Sequence, residues 1–213
     1  MSAARGKPSI SGARMPEWCA YAKKIKDCIE ITTVHHGTHV AEARRIIEDG
    51  MIEARLVYDE SLLNTTRTSV TWFSPNIWVN GSRYGTVQFT FPWRKLLGGR
   101  NIYWVEVIKE YQPHACRFLL TDRTLKNTDL VEYDPETAFG PLRHRNGRWY
   151  RNPNVTLEFM LDEHVNVRCQ RTVICRASPK ILQCGRELWA AFAKEIRRND
   201  DSPHFGPLPW LEG

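Results

Sequence analysis

The chain has 213 residues, 42% of them hydrophobic and 25% charged, a balance that predicts a soluble globular protein with one sizeable core, or two small ones at most. No apolar run approaches the roughly 20 residues of a membrane helix, and the basic N-terminus lacks the apolar stretch of a secretory signal, so the cytoplasm is the expected compartment. A net charge of +6 suits a polyanionic partner, and six cysteines without a C-x-x-C pair argue for reduced thiols instead of a zinc ribbon or a disulfide scaffold.

Residues 1–14 mix Gly, Ser, Ala and Pro with basic side chains and read as a flexible basic arm, leaving 15–213 as one domain. Pro16 can open a helix whose apolar face is Trp18, Tyr21, Ile25 and Cys28. A β-branched run at about 30–35 follows and stops at His36-Gly37-Thr38. Thr38 is a candidate N-cap for a helix over Val40–Glu48, striped by Val40, Ala43 and Ile47 and closed by Gly50.

The middle is strand-rich, with runs at Val70–Ser74, Thr86–Trp93, Ile102–Ile108, Cys116–Leu120 and Leu130–Tyr133. Val87–Phe91 alternates apolar and polar residues, which predicts one buried and one wet face. The stretch 134–153 gathers Pro, Gly and Asn with Arg143, His144, Arg145, Arg148 and Arg151, and reads as a basic loop. Strands are expected near Val155–Val167 and Arg171–Arg176, then an amphipathic helix over Arg186–Arg198 and a Pro-rich tail. Helices gathered early and late around many strands make the fold class α+β.

Three segments carry chemistry. In His35-His36-x-x-His39 the first two imidazoles of a strand point to opposite faces, which disfavours a shared metal ion, so no metal site is expected. His36 is set apart by Gly37 and Thr38, because glycine lets a ligand approach the main chain and pair with its N–H and C=O. In Leu157-Glu158-Phe159-Met160-Leu161 a carboxylate interrupts an apolar strand, which is costly unless it has a task or a partner. Glu163, among Asp162 and His164, is the alternative acid and looks more like a solvated turn.

His36-Gly37-Thr38, then a helix, then Ile47-x-x-Gly50-x-Ile52, resembles the opening of ADP-ribosyltransferases of the diphtheria-toxin and poly-ADP-ribose-polymerase type. That branch carries a His on its first core strand, a Tyr or aromatic element in the middle and a Glu on a late strand. The resemblance implies a split β-sheet core with flanking helices, and NAD as substrate. It implies that His36 holds a ribose hydroxyl, that Gly37 pairs with the nicotinamide carboxamide beside Thr38, and that Glu158 stabilises the oxocarbenium-like ribose. Thr71-Trp72-Phe73-Ser74-Pro75 followed by Gly81-Ser82-Arg83-Tyr84-Gly85 is similar to the middle element. Ser74 is its small hydroxyl residue, Tyr84 could stack on nicotinamide, and Arg67 or Arg83 could meet the pyrophosphate.

Nothing in this set names the acceptor. Arg143, Arg145, Arg148 and Arg151 with Trp149 and Tyr150 mix cations with aromatics, as do Trp93-Arg94-Lys95, and that mixture suits unpaired bases. Small standalone enzymes that the chain resembles include the DarT-like group, toxin–antitoxin and phage-defence ADP-ribosyltransferases that modify DNA or RNA. The expected activity is transfer of ADP-ribose from NAD to a base of single-stranded RNA or DNA, with a cognate antitoxin protein as a further partner. The alternatives are modification of a protein, an NAD-dependent RNA 2′-phosphotransferase, and a binding module that kept the fold and lost the activity.

Overall fold

The computed structural model describes residues 27–57, 63, 67–76, 87–108, 115–125, 130–136, 140–167 and 173–175. The expected N-terminal arm and helix up to residue 26, the segment holding Arg83 and Tyr84, the helix over Arg186–Arg198 and the tail lie outside them. The described part is mixed α+β, mostly sheet with few helices.

The chain enters through β1 (Ile29–Glu30) and β2 (Thr33–Thr38), then α1 (Val40–Asp49), β3 (Met51–Ile52), β4 (Arg55–Leu56) and β5 (Ser69–Phe73). It continues through β6 (Val87–Pro92), the short helix α2 (Trp93–Leu97), β7 (Asn101–Ile108), β8 (Ala115–Thr121) and β9 (Val131–Glu132). β10 (Leu142–Arg145), β11 (Arg148–Arg151), β12 (Thr156–Leu161), β13 (Val165–Asn166) and β14 (Val173–Cys175) complete it.

The largest sheet runs β4-β5-β12-β8-β7-β9, and a second runs β14-β6-β2. Strand β12 is antiparallel to β5 (Phe159 opposite Phe73) and parallel to β8 (Glu158 opposite Arg117). Among the described residues the two sheets meet at one bridge, where His35 N donates to Ser74 O at 2.8 Å and Ser74 N donates to His35 O at 2.9 Å. On the same edge of β5, β4 takes Ser69 and Val70. Strands β2 and β4 therefore share one edge of β5, one at each end, and the sheet is split between them.

All of β12 is buried, which is why it reads as a near-continuous apolar run. Phe159, Leu157 and Leu161 join Phe73, Phe89, Phe91, Trp93 and Phe118 in the larger core cluster, while Met160 joins Val70, Tyr103, Val105 and Leu119 in a second one. Period-two alternation along β12 feeds both. Aromatic pairs fasten the larger cluster, with Trp93 4.5 Å from Phe159 and Phe73 edge-on to Phe91 at 5.1 Å.

Several expectations change in detail. Helix α1 does end on left-handed Gly50 (φ 70°), whose N–H bonds Ile46 O, but its N-cap is His39. Thr38 cannot cap because it is still paired in the ladder opposite Val87. The buried stripe of α1 includes Ala43 and Ile46, with Ile47 half-buried. The strand expected to reach Trp93 stops at Pro92, which lacks an N–H to continue the ladder, and Trp93 opens α2. Strand β6 has no wet face, since Gln88 is buried and Thr90 half-buried.

The largest revision concerns the expected basic loop at 134–153, which contains an antiparallel hairpin, β10–β11, turning on Asn146 and Gly147 with φ values of 51° and 72°. Two positive φ angles in a two-residue turn are the geometry that Asn-Gly favours. The hairpin is extended by β1, and Ile31 N donates to Trp149 O at 2.7 Å.

Gly140 marks the tightest approach beneath this hairpin. A Cβ there would lie 2.1 Å from Tyr133 Oη and 2.7 Å from its ring, and Tyr133 is buried with its hydroxyl donating to Leu142 O. Gly140→Ala is expected to lower stability by about 1–3 kcal/mol through overpacking. The check is a lower midpoint at unchanged slope in denaturant titration; an unchanged midpoint would contradict it.

Candidate functional site

At the split between β2 and β5 the ladder geometry decides what faces the gap. Backbone N–H and C=O groups alternate between the two edges of a strand. Those of His35 point to β5, so those of Gly37, two residues on, point the same way. The main chain of Gly37 therefore faces the stretch of the β5 edge that lies between the His35–Ser74 bridge and the β4 pairing at Val70. On the other side, Trp72 O points to the same gap, two residues from Ser74.

The His36 imidazole spans that gap, with Nδ1 2.8 Å from Trp72 O. A carbonyl only accepts, so Nδ1 carries the proton. Burial pulls the pKa of His36 below the ordinary imidazole value; the bond to Trp72 and the charge of Glu42 oppose this more weakly, and Arg55 adds to it. The ring is therefore held neutral in one tautomer, with the Nε2 lone pair available as an acceptor. Phe73 and Phe89 flank it, their ring centroids at 5.8 and 6.4 Å.

Glu158 lies in the first half of β12, 8% exposed, and Arg117 of β8 donates through Nε to its Oε2 at 2.8 Å. The Arg117 guanidinium stands 4.7 Å over the indole of Trp72. Trp72 is thus common to both halves, its carbonyl holding His36 and its ring backing the partner of Glu158. Ser74, also buried, donates from its hydroxyl to Asn76 Oδ1 and accepts from Asn76 N, while Leu157 N donates to the same Oδ1 at 3.1 Å. Those bonds tie the end of β5 to the start of β12.

Continuing the β5–β12 register by one residue sets Glu158 opposite Ser74, which is opposite His35. His35 in turn pairs with Thr90, and its Nδ1 lies 2.9 Å from Thr90 Oγ1. A polar row, Thr90–His35–Ser74–Glu158–Arg117, so crosses five strands, with the His35 and Glu158 backbones about 10 Å apart. Strict alternation places His35, not His36, on the Glu158 side of the sheet; His36 reaches the gap itself. Thr90, His35 and Arg117 are the members of this row that the motifs do not single out as site residues.

Other expected site residues are more dispersed. Thr38 is buried in the β2–β6 ladder. Arg67, exposed with φ 52°, precedes β5 at the end remote from Ser74, so it is not brought to His36. Tyr84 lies outside the described residues. Glu163, the alternative acid, pairs with Arg100 at the far end of β12, away from the split.

The hairpin sorts its cations by face. Directly opposed residues share a side, which gives Leu142, His144, Trp149 and Arg151 on one and Arg143, Arg145, Arg148 and Tyr150 on the other. Trp149 packs edge-on to Trp93 at 5.5 Å and lies 4.7 Å from His144, so it faces the core, not an incoming base. Burial of Arg151 lowers its pKa from the usual guanidinium value. Tyr150 is the aromatic that accompanies the outward arginines.

No protein-family model, curated protein or solved structure matches this chain.

Because the folded pKa of His36 lies below its unfolded value near 6.5, the neutral ring's contribution is intact above that pH and is lost as pH falls beneath it. Unfolding free energy is expected to fall on acidification from pH 7 to 5, by up to about 1.4 kcal/mol per pH unit from this group. His36→Asn cannot titrate, yet its amide can donate to Trp72 O, so its profile should be flatter; parallel profiles would contradict the assignment.

Proposed function

We propose that the chain transfers ADP-ribose from NAD to a base of single-stranded nucleic acid. The observation that carries this reading is the gap beside β5, where a neutral imidazole fixed by Trp72 and the backbone of Gly37 face one opening. Those are the groups an amide-bearing ring and a ribose hydroxyl require. The Gly37 N–H and C=O pair with the nicotinamide carboxamide, and His36 Nε2 accepts from the ribose hydroxyl. Glu158, two strands over, stabilises positive charge on the ribose as its bond to nicotinamide breaks. The bonding pair leaves with nicotinamide, a base nitrogen attacks the ribose carbon, and Glu158 takes the proton which that nitrogen loses.

The outward face of the hairpin supports the choice of acceptor. Arg145 and Arg148 are exposed, and Tyr150 and Arg143 lie beside them on the same side. Guanidinium groups for phosphates next to a ring for a base make a surface suited to an unpaired strand. A toxin or defence role, and an antitoxin to restrain it, follow from the same resemblance. Transfer to a protein is the second reading, with the split gap doing the same chemistry on NAD.

Incubation with NAD labelled in its adenylate, followed by separation of RNA, DNA and protein, tests this. Label is expected on nucleic acid, and Glu158→Gln should cut it by at least about 100-fold while the variant stays folded. Label on protein alone would move the acceptor, and an unaffected Glu158→Gln would remove the mechanism. Arg145→Glu with Arg148→Glu is expected to lower nucleic-acid labelling at least about 10-fold while leaving slow hydrolysis of NAD to water unchanged. Equal losses in both reactions would place the hairpin outside acceptor binding.

A further inference from the structure

Arg117 is 5% exposed and sits in a strand that is buried along its whole length. A guanidinium there is expensive: removing two charges from water generally offsets what their attraction returns, and an apolar pair of similar volume would hold the sheet as well. Its geometry answers to something narrower than stability. The Nε–H is aimed at Oε2 of Glu158 at 2.8 Å, and the guanidinium stands 4.7 Å over the indole of Trp72. A lysine could supply the charge but neither the directed Nε–H nor the flat stack. Among the described residues Glu158 Oε1 takes no hydrogen bond, so Arg117 holds one carboxylate oxygen and leaves the other without a hydrogen bond.

The third contact makes the arrangement specific. Trp72 O, on the residue whose ring supports Arg117, bonds His36 Nδ1 at 2.8 Å. Imidazole and carboxylate, on β2 and β12, are therefore referred to the same residue.

We infer that Arg117, braced by the ring of Trp72, is the positioning residue that fixes the Glu158 carboxylate relative to His36. The inference rests on the transfer reading for its catalytic consequence, and on the three contacts for its geometry. Arg117 does not touch substrate; it acts through Glu158.

The test uses the full chain with Arg117→Met, Arg117→Lys and Trp72→Phe. For NAD consumption, Arg117→Met is expected to lower kcat about 100-fold with KM for NAD changed less than about 3-fold. The acid limb of its kcat profile should move to higher pH, because an isolated buried carboxyl resists ionising. Arg117→Lys should return the limb towards its original place and recover part of the rate. Trp72→Phe, which keeps the carbonyl on His36, should lose about 10-fold in kcat alone. A kcat loss with an unmoved acid limb, or one that lysine does not lessen, would reduce Arg117 to a structural role and overturn the proposal.

A second measurement needs no activity: the carboxyl resonance of Glu158 in carbon-13-labelled protein, titrated with pH. Its midpoint is expected to rise in Arg117→Met, or in Arg117→Lys to a smaller degree should the methionine variant not fold. An unmoved midpoint would overturn the clamp. A shifted midpoint in a protein that never consumes NAD would leave the clamp standing and remove the transfer reading, so the two failures are distinguishable.

Discussion

Two backbone hydrogen bonds between His35 and Ser74 hold the rest of this arrangement in place. They are the junction at which the β14-β6-β2 sheet, with His36 on its edge strand, meets the sheet that carries Glu158. A longer β2–β5 ladder would have filled the gap with ordinary cross-strand pairing and left the Gly37 main chain without an opening. A missing bridge would have let the sheets drift apart. The junction is kept short because β4 occupies the other end of the same β5 edge. The carbonyl stranded between the two is that of Trp72, and a side chain serves it where a strand does not.

That junction also explains the run of polar groups through an apolar interior. His35, Ser74, Arg117 and Glu158 are all under a tenth exposed, between clusters built of Phe, Leu and Val. A buried polar group left without a partner costs about 1–3 kcal/mol, and here Arg117 holds Glu158, Asn76 holds Ser74 and Thr90 holds His35. Hydrogen bonds of this kind are directional and specify position more sharply than apolar packing does.

Much of the frame was legible in the amino-acid order. Runs such as Val70–Ser74 and Cys116–Leu120 are strands because β-branched and aromatic residues suit a pleated surface, and Gly50 ends α1 because a left-handed cap admits it readily. His36 stood out by the Gly37-Thr38 that follows it, and Glu158 as a charge inside an apolar strand. Arg117 is legible only together with Glu158: a lone cation in one apolar strand and a lone anion in another satisfy each other when the strands are neighbours, and one chain does not say which strands are. The β10–β11 hairpin carries an Asn-Gly turn signal, but four arginines in ten residues hide its alternation, since arginine occupies both faces. Thr38 looked like a cap because the residue type fits; the ladder to Val87 outcompetes a single side-chain bond.

Strand β12 has a consequence for the chain before it folds. Its contacts close long loops, 41 residues to Arg117 and 90 from Leu161 back to Thr71, so pairing on both edges waits for most of the protein. Until then Thr156–Leu161 is a six-residue, sheet-forming segment with no proline, the type that self-associates into aggregates. Glu158 is the one charge within it. The carboxylate that interrupts the strand in the native state also guards it during synthesis, and a neutral residue at 158 would reduce the yield of monomeric protein whatever it does to chemistry.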